Sequence, residues 1–292
     1  MRSKNFFTTG IILLLFVFLS GCSTKDKTTT SSRLAEEEQK KEVQKVNPPP
    51  DQKLTGKYEL KKFEKTYNNC KAGSDSCTYI TIAYQILNEG PQSLKINKAI
   101  TDSITKYSFT YEKPLSTIDQ SMESFIKEFD EYKKDMKSSG NDDYMINWYF
   151  EEKGAVEFDN SNILSYSTLT NSFTGGAHGS NYISYYIFDQ TTGMPLTYKD
   201  VFEKGSEKDL NKLIEKKFRQ VRGLKPQDNL VEAGGLFENH IEHNDNFAIF
   251  KDGIKFYYNS YEIAPYSSGP IELIFSWGEL GNLINNNLKI NK

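Results

Sequence analysis

Gly175-Gly176-Ala177-His178-Gly179 is where backbone freedom and a titratable ring coincide in this 292-residue chain. Glycine admits positive φ angles and close backbone approach, so the stretch reads as a shaped loop between strands. A phosphate cradle would need a helix after the loop and a P-loop lysine, and strand-forming residues follow instead. His178 has the chemistry of a general base. No GxSxG elbow or cysteine nucleophile accompanies it, which favours a structural or binding role over catalysis. His240 and His243 would share a face on a helix, with room for a metal. HExxH is absent, zinc takes three or four ligands, and Gly234, Gly235 and Asn244 mark a loop, so no metal site and no cofactor are expected. No acidic pair stands out as a glycosidase dyad, whose test is a separation in space. Tyr261 to Pro270 holds two prolines and a glycine and displays Pro265, Tyr266, Ser267 and Ser268. A stiff hydroxyl-bearing loop loses little entropy on docking and suits recognition. The other reading is an ordinary connection whose tyrosine packs inward.

At the N-terminus, Leu19-Ser20-Gly21-Cys22 closes a short apolar run behind Arg2 and Lys4 and resembles the bacterial lipoprotein signal. Ile11 to Leu19 falls short of the roughly 20 apolar residues that a membrane-spanning helix needs. The resemblance implies a removable signal over 1–21 and a mature chain starting at acylated Cys22, anchored stably by several acyl chains. It places the protein on the exported side of a bacterial membrane, with Ser23 suiting the outer membrane of a diderm. Cys70 and Cys77 then remain as a pair. An oxidising location and a short loop containing Gly73 and Ser74 favour a structural disulfide. A redox or metal pair is the alternative, and it lacks CxxC spacing and a nearby histidine.

Formal net charge is −3 for the whole chain, and loss of Arg2 and Lys4 with residues 1–21 takes it to −5. Nucleic-acid binding needs clustered cations and is not expected, whereas a basic partner is tolerated. Residues 22–52 carry polar and charged runs and Pro48-Pro49-Pro50, with little to bury, and read as a tether.

Apolar spacing beyond Leu54 alternates between strand and helix periods. Tyr58–Phe63, Thr78–Leu87, Tyr144–Phe150, Ile163–Thr170 and Tyr182–Phe188 read as strands, the last three as an antiparallel sheet. Ile96, Ile100 and Ile104 mark one helix face, and Ile118, Met122, Phe125, Phe129 and Tyr132 another, with Thr117 and Gln120 as a capping box. Ser206 with Asp209 opens a helix burying Leu210, Leu213, Ile214, Phe218 and Val221. Asn246–Phe250 and Ile254–Tyr258 form a hairpin around Asp252-Gly253, a pair suited to a type I′ turn. Ile271–Phe275 is a last strand, and Ser276 with Glu279 caps a short terminal helix. Without regular βαβ alternation the class is α+β: antiparallel sheets with packed helices, in two similar-sized subdomains, 53–170 and 171–292.

Phe173-Thr174-Gly175-Gly176-Ala177-His178, Phe188-Asp189 with Thr192-Gly193, Leu196-Thr197 before Asp200-Val201-Phe202, and Tyr261 to Tyr266 with Gly269 together resemble the domain of unknown function 3298, over about residues 170–285. Tyr79 to Leu87 followed by Ile96 to Ile100 is similar to the N-terminal segment of the muramic-acid deacetylase PdaC. Members of the family include the anti-sigma factor RsiV, whose extracellular domain binds lysozyme, and deacetylases whose catalytic domain is a separate module. The resemblance therefore implies an envelope binding domain, with a lysozyme-like protein or a peptidoglycan fragment as ligand. It points to Gly175, Gly176 and His178 and to Pro265, Tyr266, Ser267 and Ser268 as the contact surface, the two serines standing where the family often has a small apolar residue. A cell-wall hydrolase using His178 and a purely structural envelope lipoprotein are the competing expectations.

Overall fold

Strands of the expected composition assemble into two sheets in a computed structural model that describes residues 56–105, 115–141 and 145–288. The signal, Cys22 and the tether lie outside these residues. The larger sheet runs in the order β1 (Tyr58–Thr66), β2 (Tyr79–Leu87), β3 (Tyr149–Asp159), β4 (Ile163–Phe173) and β5 (Ser180–Asp189). Neighbours pair antiparallel except β2 and β3, which are parallel, so this sheet is mixed. A second, antiparallel sheet contains β6 (Phe247–Phe250), β7 (Gly253–Tyr258) and β8 (Ile271–Ser276). The class is α+β. The division expected at residue 170 falls inside β4, whose sheet neighbours β3 and β5 come from either side of it.

Helices α1 (Ser93–Thr105) and α2 (Ile118–Ser138) cover one face of that sheet, burying Ile96, Ile100, Ile104, Ile118, Met122 and Phe125 against Ile80, Ile82, Phe150 and Tyr166. A helical stripe and a strand face of matching apolar character drive this contact. Thr117 accepts from the Gln120 N–H at 3.2 Å, but the Gln120 side chain returns to the Ser116 N–H at 3.0 Å, one residue outside the expected box. On the other side, α3 (Tyr198–Val201) and α4 (Glu207–Arg222) join β6 to β8 in a second core holding Leu210, Ile214, Phe218, Phe256 and Phe275. The terminal turn α5 (Trp277–Leu280) is capped as expected: Ser276 accepts from the Glu279 N–H, and Glu279 accepts from the Ser276 N–H at 2.9 Å.

Four local expectations change. β3 starts five residues later than expected and continues to Asp159, because its inward positions are Phe150, Glu152, Gly154 and Val156, and two of these break the apolar alternation. Ser206 does not cap α4: its backbone is already helical and its hydroxyl meets the Tyr198 hydroxyl at 3.2 Å. Val221 lies beyond Phe218, the last buried residue of the stripe, and is 61% exposed. The hairpin turn is Lys251-Asp252, neither with positive φ, and Gly253 is a strand residue paired with Phe250. Glycine is required there by proximity, since a Cβ would lie 1.8 Å from the Phe275 carbonyl oxygen.

The outer edge of β5 is finished by two side chains. Asn259 accepts from the Ile183 N–H at 2.8 Å and donates to the Ile183 carbonyl at 3.0 Å, while Asn246 accepts from the Tyr185 N–H at 2.8 Å. Asn246 also donates to Ile183 and Tyr257 carbonyls, tying β5 to the small sheet.

Candidate functional site

The register of the large sheet brings four connections to one end. Thr66, Tyr79, Tyr149 and Phe173 stand opposite one another across β1 to β4, so the 70–77 loop, residues 145–148 and the 174–179 loop emerge together. Cys70 and Cys77 are disulfide-bonded with Cα atoms 5.5 Å apart, as expected of a structural bridge. Asn147 donates to the Asp75 carbonyl at 3.1 Å and links that loop to the next. Gly175 and Gly176 have φ of 110° and 93°, angles that L side chains rarely adopt, and they turn the chain so that His178 projects outward.

The fourth connection is Tyr261 to Pro270. Pro265 leads into a 3₁₀ turn at Tyr266–Ser268, closed by the Ser268 N–H on the Pro265 carbonyl at 2.9 Å. This presents the Tyr266 ring to His178: the two stack with centroids 3.9 Å apart and planes 14° apart. Tyr261 joins them, 5.5 Å from Tyr266 and 6.2 Å from His178. The Gly179 carbonyl lies 3.0 Å from His178 Nδ1 and accepts from the Tyr266 hydroxyl at 3.3 Å. A carbonyl only accepts, so the neutral imidazole carries its proton on Nδ1 and offers Nε2 to the Tyr261 hydroxyl, 3.4 Å away. Nδ1 thus braces the ring within its own loop, while Nε2 and the stack on Tyr266 join the two loops.

Behind this trio a row of aromatics runs into the sheet. Tyr149 lies between Tyr79 and Phe173, 6.1 Å and 6.2 Å from them, and Tyr79 donates to Glu151 at 2.8 Å. Burial, then the Glu151 charge and the Tyr266 hydroxyl, raise the Tyr149 phenol above its ordinary value. At the rim, Tyr182, Phe237 and Tyr261 are 43%, 51% and 58% exposed. Phe237 is held there by its N–H on the Ile263 carbonyl at 2.9 Å. Tyr261 also takes φ of 68°, a left-handed backbone that costs a non-glycine residue on the order of 1–2 kcal/mol.

Of the residues singled out in the sequence, Gly175, Gly176, His178, Pro265 and Tyr266 gather at this end. Ser267 is exposed, and Ser268 is half-buried with its hydroxyl against Gly235. Tyr79, Tyr149, Phe173, Tyr182 and Phe237 were not singled out as site residues. For the strand residues the common end follows from register, which one-dimensional spacing does not carry, and Phe237 is brought there by a loop hydrogen bond to Ile263.

His240 and His243 lie in a loop, as expected, and face different ways. His240 is 3.2 Å from Glu238, whereas His243 stacks on Tyr198 at 4.1 Å. Among the described residues no group of three or more His, Cys, Asp or Glu is placed to hold a metal ion.

A mixed five-stranded sheet, covered by helices on one face and by a small sheet on the other, is an α+β body with its ring cluster at one end. The chain carries a DUF3298/PdaC-type domain: residues 199–278 match the family described as Protein of unknown function (DUF3298), and residues 72–181 match Deacetylase PdaC. The fold is similar to that of a DUF3298 family member from Bacteroides fragilis, with a TM-score of 0.66 at 22% identity, covering 79% of this chain and 94% of that one. It is also similar to a DUF3298 family protein from Pseudomonas aeruginosa, with a TM-score of 0.57 at 17% identity and the same coverages, 79% and 94%. No curated protein matches the sequence.

Proposed function

We propose that this chain is a lipid-anchored envelope protein that binds a lysozyme-like protein through the loop end of the large sheet, without transforming it. The observation that carries the reading is the His178–Tyr266–Tyr261 cluster, in which two loops 83 residues apart are joined by rings and hydrogen bonds. Exposed aromatic side chains with two χ angles give large contact area for little ordering entropy, and such residues dominate binding energy in interfaces. The net charge of −5 after loss of residues 1–21 suits a basic partner.

Calorimetry of the purified protein with lysozyme tests this. Saturable binding is expected, and Tyr266→Ala lowers affinity by roughly 30-fold, the scale of an interface anchor. Absence of heat at high micromolar concentration overturns the lysozyme assignment, and heat with soluble peptidoglycan fragments instead would reassign the ligand.

A second reading is favoured by the match of residues 72–181 to Deacetylase PdaC: an enzyme acting on the cell wall with His178 as base. His178→Ala separates the two. An enzyme loses most of its rate on acetylated muropeptides, whereas a binder retains its fold and loses affinity only.

A further inference from the structure

The chain enters the described body at the end of the large sheet opposite to the ring cluster. Tyr58 pairs with Leu87 and Lys57 reaches Asp159, while Thr66, Tyr79 and Tyr149 lie at the far end. The nine residues of β2 put about 30 Å between the two ends. At the entry end two apolar side chains stand in solvent: Leu94, in the first turn of α1, is 87% exposed and Met194 is 51% exposed. The turn bearing Met194 packs on that helix, since Lys95 Nζ donates to the Thr192 carbonyl at 2.8 Å and meets Met194 Sδ at 3.0 Å. Lys95 and Lys98 are exposed beside them, Lys98 in an exposed i,i+4 ion pair with Asp102 that solvent and salt screen.

We propose that this end is a membrane-contact tip, with Leu94 and Met194 entering an anionic phospholipid surface and Lys95 and Lys98 facing its headgroups, so that the ring cluster points away from the bilayer. The proposal rests on the lipid-anchor reading. What names the occupant is the point of entry: residues 23–55, 33 in number, separate Cys22 from Gly56, and Gly56 joins the body at this end. Gly56 is the first described residue after Cys22 in the chain, so an anchor at Cys22 reaches the Leu94 end of the body first. Exposed apolar residues flanked by lysines gain from such a surface both by burial and by charge attraction.

The full-length chain in phosphatidylglycerol-containing vesicles gives the test. A fluorophore on Leu94→Cys should be quenched by headgroup-labelled lipid at least threefold more than one on Ser267→Cys at the other end. Equal quenching, or more at position 267, overturns the proposal. With the reporter moved to Lys98→Cys, adding Leu94→Ser and Met194→Ser should abolish the quenching, and unchanged quenching argues against insertion by these two side chains. The mass of the Cys22 peptide reports separately on the anchor. If Cys22 carries no acyl chain, the same probes in a Cys22→Ser background with added vesicles decide: preferential quenching at 94 upholds the tip, and none at either position overturns it.

Discussion

Glu152 is the residue whose chemistry departs most from its surroundings. It lies 2% exposed in the middle of β3, between Ile82 and Thr170, and both carboxyl oxygens lack a hydrogen-bond partner. Burial pushes its carboxyl up from 4.5 to about 8. An isolated buried carboxylate is costly, so the group keeps its proton in the folded chain. Between pH 4.5 and 8 the folded state therefore binds more protons at this site than the unfolded state, and stability falls as pH rises through that window. Glu152→Gln should flatten this dependence and raise Tm at pH 8 by roughly 5 °C or more. Thermal melts of both proteins from pH 5 to 9 check it, and parallel curves would show that the carboxyl is ionised without penalty. The same residue explains why β3 was hard to read: a glutamate and a glycine on an inward face look like loop until the strand is seen between its neighbours.

At the scale of elements, the local signals were the legible ones. Ser276 and Glu279 are three residues apart and cap as their types require, and the stripes of α1 and α2 bury the expected residues except Tyr132, which is half-buried. Signals failed where a partner distant in sequence took the group. The Ser206 hydroxyl is engaged by Tyr198, and Gly253 answers to a carbonyl on β8 instead of to its turn. A direct consequence is that Gly253→Ala should cost more than about 2 kcal/mol, since its methyl group would collide with backbone that cannot move aside. Urea denaturation measures this, and a cost under about 0.5 kcal/mol would mean that β7 and β8 separate freely. The pairing of the 174–179 and 261–270 loops belongs to the same category. Each loop was recognisable from its glycines and prolines, but the stack of His178 on Tyr266 depends on strands that only the fold puts side by side.

For the whole molecule, the two ends of the large sheet have different characters: rings and a disulfide at one, chain entry with Leu94 and Met194 at the other. The Cys70–Cys77 bridge closes a short loop at the ring end, and its removal by Cys70→Ser with Cys77→Ser should cost roughly 2–3 kcal/mol through the entropy of the unfolded chain. Because Asn147 ties that loop to the segment leading into Tyr149, affinity for the proposed lysozyme-like ligand should fall together with Tm. Melting and calorimetry on the double variant test this, and a lowered Tm with unchanged affinity would separate the bridge from recognition.

The amides of Asn246 and Asn259 have an effect that reaches beyond one copy of the chain. By filling both seats of Ile183 and the donor seat of Tyr185, they take away most of what an approaching strand would zip onto there, a guard against fibre growth at that border. Where copies crowd together, these two short side chains disfavour pairing edge to edge.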